Sequence, residues 1–203
     1  MKKFVLDKCM NIIKKNMRYD DTKLEEIRYG LEGIYLTITK ITIISILCII
    51  LGIFKEFLIF LIIYSIMRAP SFGIHASKSW ICLITSTLSF IGFPLLSIYT
   101  KLNLITKIII GTISIIGICL FSPADTIKRP IINKTRRKTY KVLSTIIAIT
   151  YIILSIKITN NFISNCFIYS TILQNILISP LTYKIFKMPY NNYKEYIKKH
   201  GLN

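Results

Sequence analysis

One histidine and one cysteine in the middle of the chain could together form a catalytic pair. His75 and Cys82 are seven residues apart, between two apolar segments. A thiol beside an imidazole can ionise to a thiolate and imidazolium pair, which attacks an amide carbonyl and then protonates the leaving amine. In an uninterrupted α-helix the two side chains would share a face but lie about 10.5 Å apart along the axis, too far for proton transfer. A catalytic contact therefore needs a turn that carries His75 back toward Cys82.

The residues around this pair favour such a turn. Pro70 and Gly73 precede the histidine and allow the helix to break. Ser77 or Ser79 could then cap a new helix, which would place Cys82 in its first turns, where the helix dipole favours a thiolate. A purely structural role for the histidine and the cysteine is the alternative that spacing leaves open.

A metal site is a further alternative, and the sequence gives it little support. His75 and Cys82 have no third ligand in reach, and the other histidine, His200, lies in a polar tail where it is expected to be solvated. The five cysteines are scattered and contain no Cys-x-x-Cys pair. Neither a disulfide framework nor a zinc site is therefore predicted.

The composition of the chain is that of a membrane protein. Of its 203 residues 53% are apolar, and the mean hydropathy is +0.56. This is more apolar surface than one water-soluble core needs. The 27 Lys and Arg residues against 9 Asp and Glu give a formal net charge of +18. Strong hydrophobicity and strong basicity in one chain must be segregated along the sequence.

Six apolar runs are candidates for membrane-spanning helices. About 20 residues of helix cross the hydrocarbon layer of a bilayer, which is about 30 Å thick. The runs lie at 31–54, 56–69, 79–99, 103–121, 142–159 and 162–182. The second run is short and the last two are barely separated, so four or five spans are the alternative. The predicted fold class is all-α, a polytopic membrane helical protein.

The charges of the loops predict the orientation of these spans. With six spans, 22 of the Lys and Arg residues fall on the side that holds both chain ends and 4 fall on the other side. Cationic loops are retained in the cytoplasm, so both termini are expected there. Lys40 falls within the first span.

The chain is predicted to form one integral membrane domain, 1–203, with three parts. Residues 1–30 mix apolar and cationic side chains, as in an amphipathic helix on an anionic membrane surface, and they do not resemble a cleaved leader. Thr22 and Glu25 match a capping box, so a second helix is expected to begin there and to continue into the first span. The six-span bundle occupies 31–182, and 183–203 form a cytoplasmic tail.

Two motifs give the chain a family resemblance. Arg68, Gly73, His75 and Cys82, with the seven-residue step from His to Cys, resemble the motif of the accessory gene regulator B (AgrB) family. The segment 122–130, Ser-Pro-Ala-Asp-Thr-Ile-Lys-Arg-Pro, is similar to the Pro-Ala-Asp-Thr and Lys-Arg-Pro segment that follows the fourth span in that family. The order of the motifs, the chain length and the six-span pattern also match.

The resemblance implies a membrane-embedded cysteine endopeptidase of the bacterial cell membrane, which processes the AgrD precursor of a cyclic quorum-sensing peptide. Cys82 would be the nucleophile and His75 its base. The enzyme would release the C-terminal tail of the precursor through an acyl thioester, and an internal cysteine or serine would then close a thiolactone or lactone. The glycine pair of the family is only half kept, because Phe72 stands in the first position and Gly73 in the second.

Arg68 and Asp125 are candidate supporting residues, each with an alternative role. Asp125 could orient His75 or bind a cation, or it could cap a helix or pair with Arg129. Arg68 could bind the oxyanion or a substrate carboxylate, or it could be an interfacial arginine with a structural role.

A run of cations follows the second motif. As the resemblance implies, these residues would bind an acidic precursor tail, and the alternative is a topology signal facing anionic lipid. The candidates for substrate binding are Lys128, Arg129, Arg136, Arg137 and Lys138.

The expected partners are the AgrD-like precursor, anionic membrane lipid and, from the resemblance, a second copy in a homodimer. No cofactor, metal or nucleic acid is expected, since the loop topology explains the basic residues. A small transporter or channel subunit without peptidase activity is the competing class of function. Lys40 is the clearest charge inside a predicted span, and no pair of broken helices indicates a transport path.

Overall fold

The computed structural model describes residues 2–17, 19–74, 79–126 and 130–201, without the side chains of Asn16 and His200. The chain divides into two compact units, residues 1–50 and residues 51–203. Within the described residues all regular secondary structure is helical, apart from isolated β-bridge residues.

The first unit is a pair of helices, α1 (Lys2–Asn16) and α2 (Asp21–Ile50). The helices are joined by ion pairs between Arg28 and Asp7, at 3.1 Å, and between Lys2 and Glu32. The predicted continuous run from the second helix into the first span is confirmed, since α2 has 30 residues. Its cap differs from the prediction. Asp20 caps α2, because its carboxylate accepts the backbone N–H of Lys23 at 2.9 Å.

The second unit contains seven helices within the described residues, and all candidate site residues belong to this part of the sequence. The helices are α3 (Phe54–Ser71), α4 (Ser79–Tyr99), α5 (Leu104–Phe121), α6 (Lys134–Lys157), α7 (Asn161–Ile178), α8 (Pro180–Ile185) and α9 (Asn192–His200).

Helix α7 lies at the centre of this unit and packs against α3, α4, α5 and α6. Two of its amide side chains bond to neighbouring segments of the bundle, so they face protein. Asn165 Nδ2 donates to the carbonyl of Thr100 at 2.7 Å, and Asn175 Nδ2 donates to that of Ser114 at 3.0 Å. Lys107 of α5 is also buried and donates to Ser164 at 2.6 Å. The polarity of α7 is thus explained by its position inside the bundle.

Four described helices are long and apolar enough to cross a membrane, namely α2, α4, α5 and α6. Most of their apolar surface is exposed, as in helices that face lipid. Helix α3 contains three charged residues, Lys55, Glu56 and Arg68, and α7 is the polar central helix. The count of six spans stays a prediction.

A cluster of aromatic rings joins α4 to α3 and α7. The rings of Phe60 and Phe93 are stacked with centroids 5.9 Å apart, and Tyr64 meets Phe90 edge to face at 5.4 Å. Phe93 also contacts Tyr169 of α7 at 5.9 Å. Such contacts fix α4 along its length, and α4 carries Cys82.

The helix of the predicted sixth span ends earlier than expected, and the residues that follow it are folded. The sixth span was predicted to reach residue 182, but α7 ends at Ile178. Pro180 has no N–H with which to continue the α7 hydrogen bonds, so it starts the short helix α8 instead. Tyr183 and Asn192 are buried, and α9 follows. The segment predicted as a polar tail is therefore in part a packed structure.

Candidate active site

The two sequence motifs lie directly beside each other. Gly73 donates its backbone N–H to the carbonyl of Ala124 at 2.9 Å, and Ala124 donates to that of Ser71 at 3.1 Å. These bonds form a parallel bridge between Phe72 and Ala124. The segment that ends at Ile74 is thus held by the segment that contains Asp125.

Gly73 occupies a position that only glycine fits. Its φ is +116°, which side chains of L-residues rarely allow. A Cβ at this position would lie 2.6 Å from Nη1 of Arg68 and 3.0 Å from the carbonyl oxygen of Leu177. The backbone therefore passes so close to α3 and α7 that no side chain can be accommodated.

Phe72 also has a positive φ, of 55°, with ψ at −130°. This is a strained conformation for a residue with a Cβ, which accounts for a glycine at the same position of the family motif. The ring of Phe72 packs edge to face on Tyr140 of α6, with centroids 5.0 Å apart. That contact helps to hold the strained backbone.

Arg68 extends from the last turn of α3 to the segment before the candidate histidine. Its Nη2 donates to the carbonyl of Ile74 at 2.9 Å. Its Nη1 is buried and has no hydrogen-bond partner among the described residues. Arg68 thus fixes the residue directly before His75.

The C-terminal end of α7 completes the support of this segment. Nε2 of Gln174 donates to the carbonyl of Phe72 at 2.9 Å, and the carbonyl of Leu177 accepts the N–H of Ile74 at 3.0 Å. Gln174 is fully buried. The three residues 72–74 are therefore held by α3, α7 and the second motif.

Asp125 is buried and joins the second motif to the C-terminal helix. Its carboxylate accepts the backbone N–H groups of Asn192 at 3.1 Å and Tyr193 at 2.9 Å, which are the first amides of α9. Arg137 of α6 lies 3.7 Å away, with its guanidinium 3.7 Å above the ring of Tyr193. Of the predicted alternatives, the helix cap is present. Arg137 is a cationic partner among the described residues, and the predicted partner Arg129 lies outside them.

The backbone carbonyl of Asp125 is bound as well. It accepts the hydroxyl of Tyr183 at 3.0 Å and Nδ2 of Asn192 at 3.2 Å. Burial raises the pKa of Tyr183 above its ordinary value, so the hydroxyl stays a donor at physiological pH. Both carboxylate oxygens and the backbone carbonyl of Asp125 thus have structural partners.

Cys82 lies in the first turn of α4, as predicted, and is half-buried. It is eleven residues before Phe93, which is three turns of helix and within about 20° of the same face. Phe93 faces α3 and α7, so Cys82 lies on the inward side of α4.

The height of Cys82 in the bundle follows from the aromatic contacts. Tyr64 and Phe90 meet where α3 and α4 run antiparallel. Eight residues beyond Tyr64 is Phe72, and eight residues before Phe90 is Cys82, about 12 Å in each case. Cys82 therefore lies at the end of the bundle that holds segment 72–74, to within about one helical turn.

The structure describes only some of the other predicted site residues. His75, Lys128 and Arg129 lie outside the described residues. Arg136 is exposed, and its Nε donates to the hydroxyl of Tyr140 at 3.0 Å. Lys138 is exposed on the same helix. In the part of the chain that the structure describes, no group of three His, Cys, Asp or Glu residues could hold a metal ion.

Sequence reasoning missed the supporting roles of Gln174 and Asn192. The sequence contained a signal for Gln174, since α7 carries several amide side chains inside a predicted span. Placing such side chains in lipid costs free energy unless they have hydrogen-bond partners. Asn192 belongs to a segment that was predicted to be a polar tail and offered no comparable signal.

The fold and the site define an all-α polytopic membrane protein whose two sequence motifs meet at one end of a helical bundle. The chain belongs to the family described as Accessory gene regulator B, AgrB, which matches residues 6–178. It is therefore an accessory gene regulator of agr quorum sensing.

Relatives match nearly the whole chain. An AgrB-like protein of Clostridium acetobutylicum is 26% identical over 96% of this chain and 95% of its own length. An AgrB-like protein of Listeria monocytogenes is 30% identical over 91% of each chain. Accessory gene regulator protein B of Staphylococcus aureus is 27% identical over 87% of this chain and 93% of its own length. No solved structure matches the chain.

Proposed function

We propose that this protein is a membrane-embedded cysteine endopeptidase that cleaves a small AgrD-like peptide precursor and cyclises the product. One observation carries the proposal. Both motifs of the family are hydrogen-bonded together directly before His75, at the height in the bundle where Cys82 begins α4. This arrangement supports a thiol and an imidazole acting at one end of the spans.

In the first step the thiolate of Cys82 attacks the carbonyl carbon at the junction between the signal segment and the C-terminal tail of the precursor. The amide C–N bond breaks, and the imidazolium of His75 protonates the leaving amine. The signal segment stays bound to Cys82 as an acyl thioester. The N-terminal end of α4 supports the anionic sulfur through the helix dipole.

In the second step the thiol of an internal precursor cysteine attacks the acyl thioester. A new sulfur–carbon bond closes the ring, the bond to Cys82 breaks, and the proton of the incoming thiol returns to the enzyme through His75. The exchange of an acyl group between two thiols has a free-energy change near zero. The ring therefore closes without ATP if water is kept from the thioester. An internal serine would give a lactone in the same way.

The supporting residues have separate roles in this proposal. Arg68 positions Ile74, and its second donor is available for the developing oxyanion or for a substrate carboxylate. Gly73 lets the backbone pass between Arg68 and α7. Asp125 fixes the second motif through α9 and Arg137 and acts as a positioning residue.

We further propose that Lys128, Arg129 and Arg136 receive the acidic end of the precursor. Arg136 supports this role, because it is bonded to Tyr140, whose ring packs on Phe72 in the first motif. Six spans, cytoplasmic termini and assembly as a homodimer belong to the same proposal. The charge distribution favours that orientation.

Coexpression with a precursor from a neighbouring gene tests the proposal, with cleavage followed by mass spectrometry. We expect Cys82→Ala to abolish cleavage and Cys119→Ala to leave it unchanged, since the side chain of Cys119 is exposed on the surface of α5. Equal cleavage by the Cys82→Ala variant and the wild type would reject the peptidase mechanism.

A further inference from the structure

A basic cavity of 580 Å³ lies beside the second motif, at the ends of two membrane-spanning helices. It is formed by the C-terminal end of α5, the N-terminal end of α6 and the turn that begins α9. Its lining comprises Leu120, Phe121, Ser122, Pro123, Lys134, Arg137, Lys138, Lys141, Tyr190, Asn191 and Tyr193. It contains four cations, and no carboxylate lines it in the part of the chain that the structure describes.

The lysines of the cavity are arranged to meet one anion. Lys134, Lys138 and Lys141 are spaced four and three residues apart, so they share one face of α6. None of the three forms an ion pair with a described residue. The cavity also adjoins the N-terminal end of α6, where the helix dipole adds to the positive potential.

Arg137 adds a fourth positive charge to the cavity. Its Nη1 is buried and makes no hydrogen bond within the described residues. The nearest carboxylate oxygen, Oδ2 of Asp125, lies 3.7 Å away, which is an ionic contact but too long for a hydrogen bond. The guanidinium of Arg137 therefore lies between Asp125 and Tyr193 and adds to the positive potential beside the lysines.

The apolar side of the cavity is continuous with the surface that faces lipid. Leu120 lines the cavity and is also the last member of an exposed stripe along α5. The stripe consists of Ile109, Ile113, Ile116 and Leu120. A ligand that fits both parts has an anionic head at the level of the lysines and apolar chains along α5.

We infer that this cavity binds the phosphate headgroup of an anionic glycerophospholipid, with the acyl chains lying along the exposed stripe of α5. Lysine and arginine residues between spanning helices recognise such headgroups through charge and hydrogen bonds. The bound headgroup would lie against Ser122 and Pro123, directly before the residues that pair with the first motif. The inference does not depend on the proposed peptidase activity.

Native mass spectrometry of the detergent-purified full chain tests this inference with phosphatidylglycerol, cardiolipin and phosphatidylcholine. We expect retained phosphatidylglycerol or cardiolipin and little phosphatidylcholine. The triple variant Lys134→Gln, Lys138→Gln, Lys141→Gln should bind the anionic lipids about a hundredfold more weakly, from about fivefold for each lysine.

The matched control removes three exposed lysines from the C-terminal segment, as Lys184→Gln, Lys187→Gln and Lys198→Gln. It should retain the anionic lipids as the wild type does. If the first triple variant does not fold, the single variants Lys134→Gln and Lys138→Gln should each show the fivefold loss. Equal lipid retention by the cavity variants and the control would overturn the inference.

Two soluble probes separate the lipid from other anions. Inorganic phosphate and hexaglutamate are added to the lipid-free protein, and the melting temperature is measured. A smaller rise with either probe than with phosphatidylglycerol supports the lipid site. A rise with hexaglutamate that exceeds the rise with phosphatidylglycerol and is lost in the triple variant would assign the cavity to an acidic peptide instead.

Discussion

Gly73 and Ala124 share a backbone hydrogen bond of 2.9 Å, which joins two segments that are far apart in the chain. The bond ties the residue two positions before His75 to the residue directly before Asp125. Because Gly73 also lies against Arg68 and Leu177, four parts of the chain meet at one glycine. This junction is the structural core of the candidate site.

Gly73→Ala should disrupt this junction. The added Cβ would lie 2.6 Å from Arg68 and 3.0 Å from a backbone oxygen, at a φ that alanine tolerates poorly. We expect a loss of stability of about 1–3 kcal/mol and at least a tenfold loss of precursor cleavage. Thermal unfolding and a cleavage assay in proteoliposomes measure both effects.

The matched control for this variant is Gly92→Ala in α4. Nothing lies within 4 Å of a Cβ at Gly92, and alanine is a better helix former than glycine. It should leave stability and cleavage nearly unchanged. If Gly73→Ala behaved like Gly92→Ala, the proposed close approach would be wrong.

Gln174→Leu should loosen segment 72–74 while leaving α7 in place. The change removes the donor to the carbonyl of Phe72 and leaves that carbonyl without its side-chain partner, at a cost of about 1–3 kcal/mol. Since Gln174→Met also lacks the donor, it should show the same loss of activity. Hydrogen exchange of the amides of Gly73 and Ile74 should rise in both variants.

The readout for Gln174 distinguishes positioning from general instability. The amides of α5 and α6 should keep their protection, and kcat should fall more than KM rises. Uniform loss of protection across the bundle would mean that Gln174 supports the whole fold and has no particular relation to the site.

Asp125→Ala should release α9 from the second motif. The variant removes the acceptor of the amides of Asn192 and Tyr193 and leaves Arg137 without its carboxylate. Breaking such a buried pair costs about 3–5 kcal/mol. Limited proteolysis should then cut within residues 189–201 at least tenfold faster than in the wild type.

Glu195→Ala is the control for the release of α9. Glu195 is exposed in the same helix and accepts no hydrogen bond in the described structure. Its proteolysis rate should match that of the wild type. An unchanged cutting rate in Asp125→Ala would show that α9 is held by other contacts.

The apolar periodicity of the sequence predicted much of the fold. Long runs such as those of α4 and α5 are bounded correctly to within a residue or so, because lipid-facing helices need continuous apolar surface. The end of α7 was harder to predict. Its polar residues and Pro180 depend on which neighbours surround the helix, and neighbours cannot be read from one segment.

The sequence predicted which residues belong to the candidate site, but it did not predict the contacts between them. Arg68, Gly73 and Asp125 follow from the motifs, and Cys82 was expected at the start of a helix. The pairing of Gly73 with Ala124, and the cap that Asp125 gives to α9, arise from tertiary folding between distant segments. No spacing rule within one segment contains that information.

The most direct test of the central claim is to trap the acyl thioester on Cys82. The purified protein in proteoliposomes is mixed with a precursor whose internal cysteine is replaced by alanine, so that the ring cannot close. Intact-mass spectrometry should show an adduct with the mass of the precursor without its C-terminal tail. The adduct should be present on the wild type and on Cys119→Ala, absent in Cys82→Ala and released by hydroxylamine. Cleavage of the precursor by Cys82→Ala, or an adduct that maps to another residue, would contradict the account.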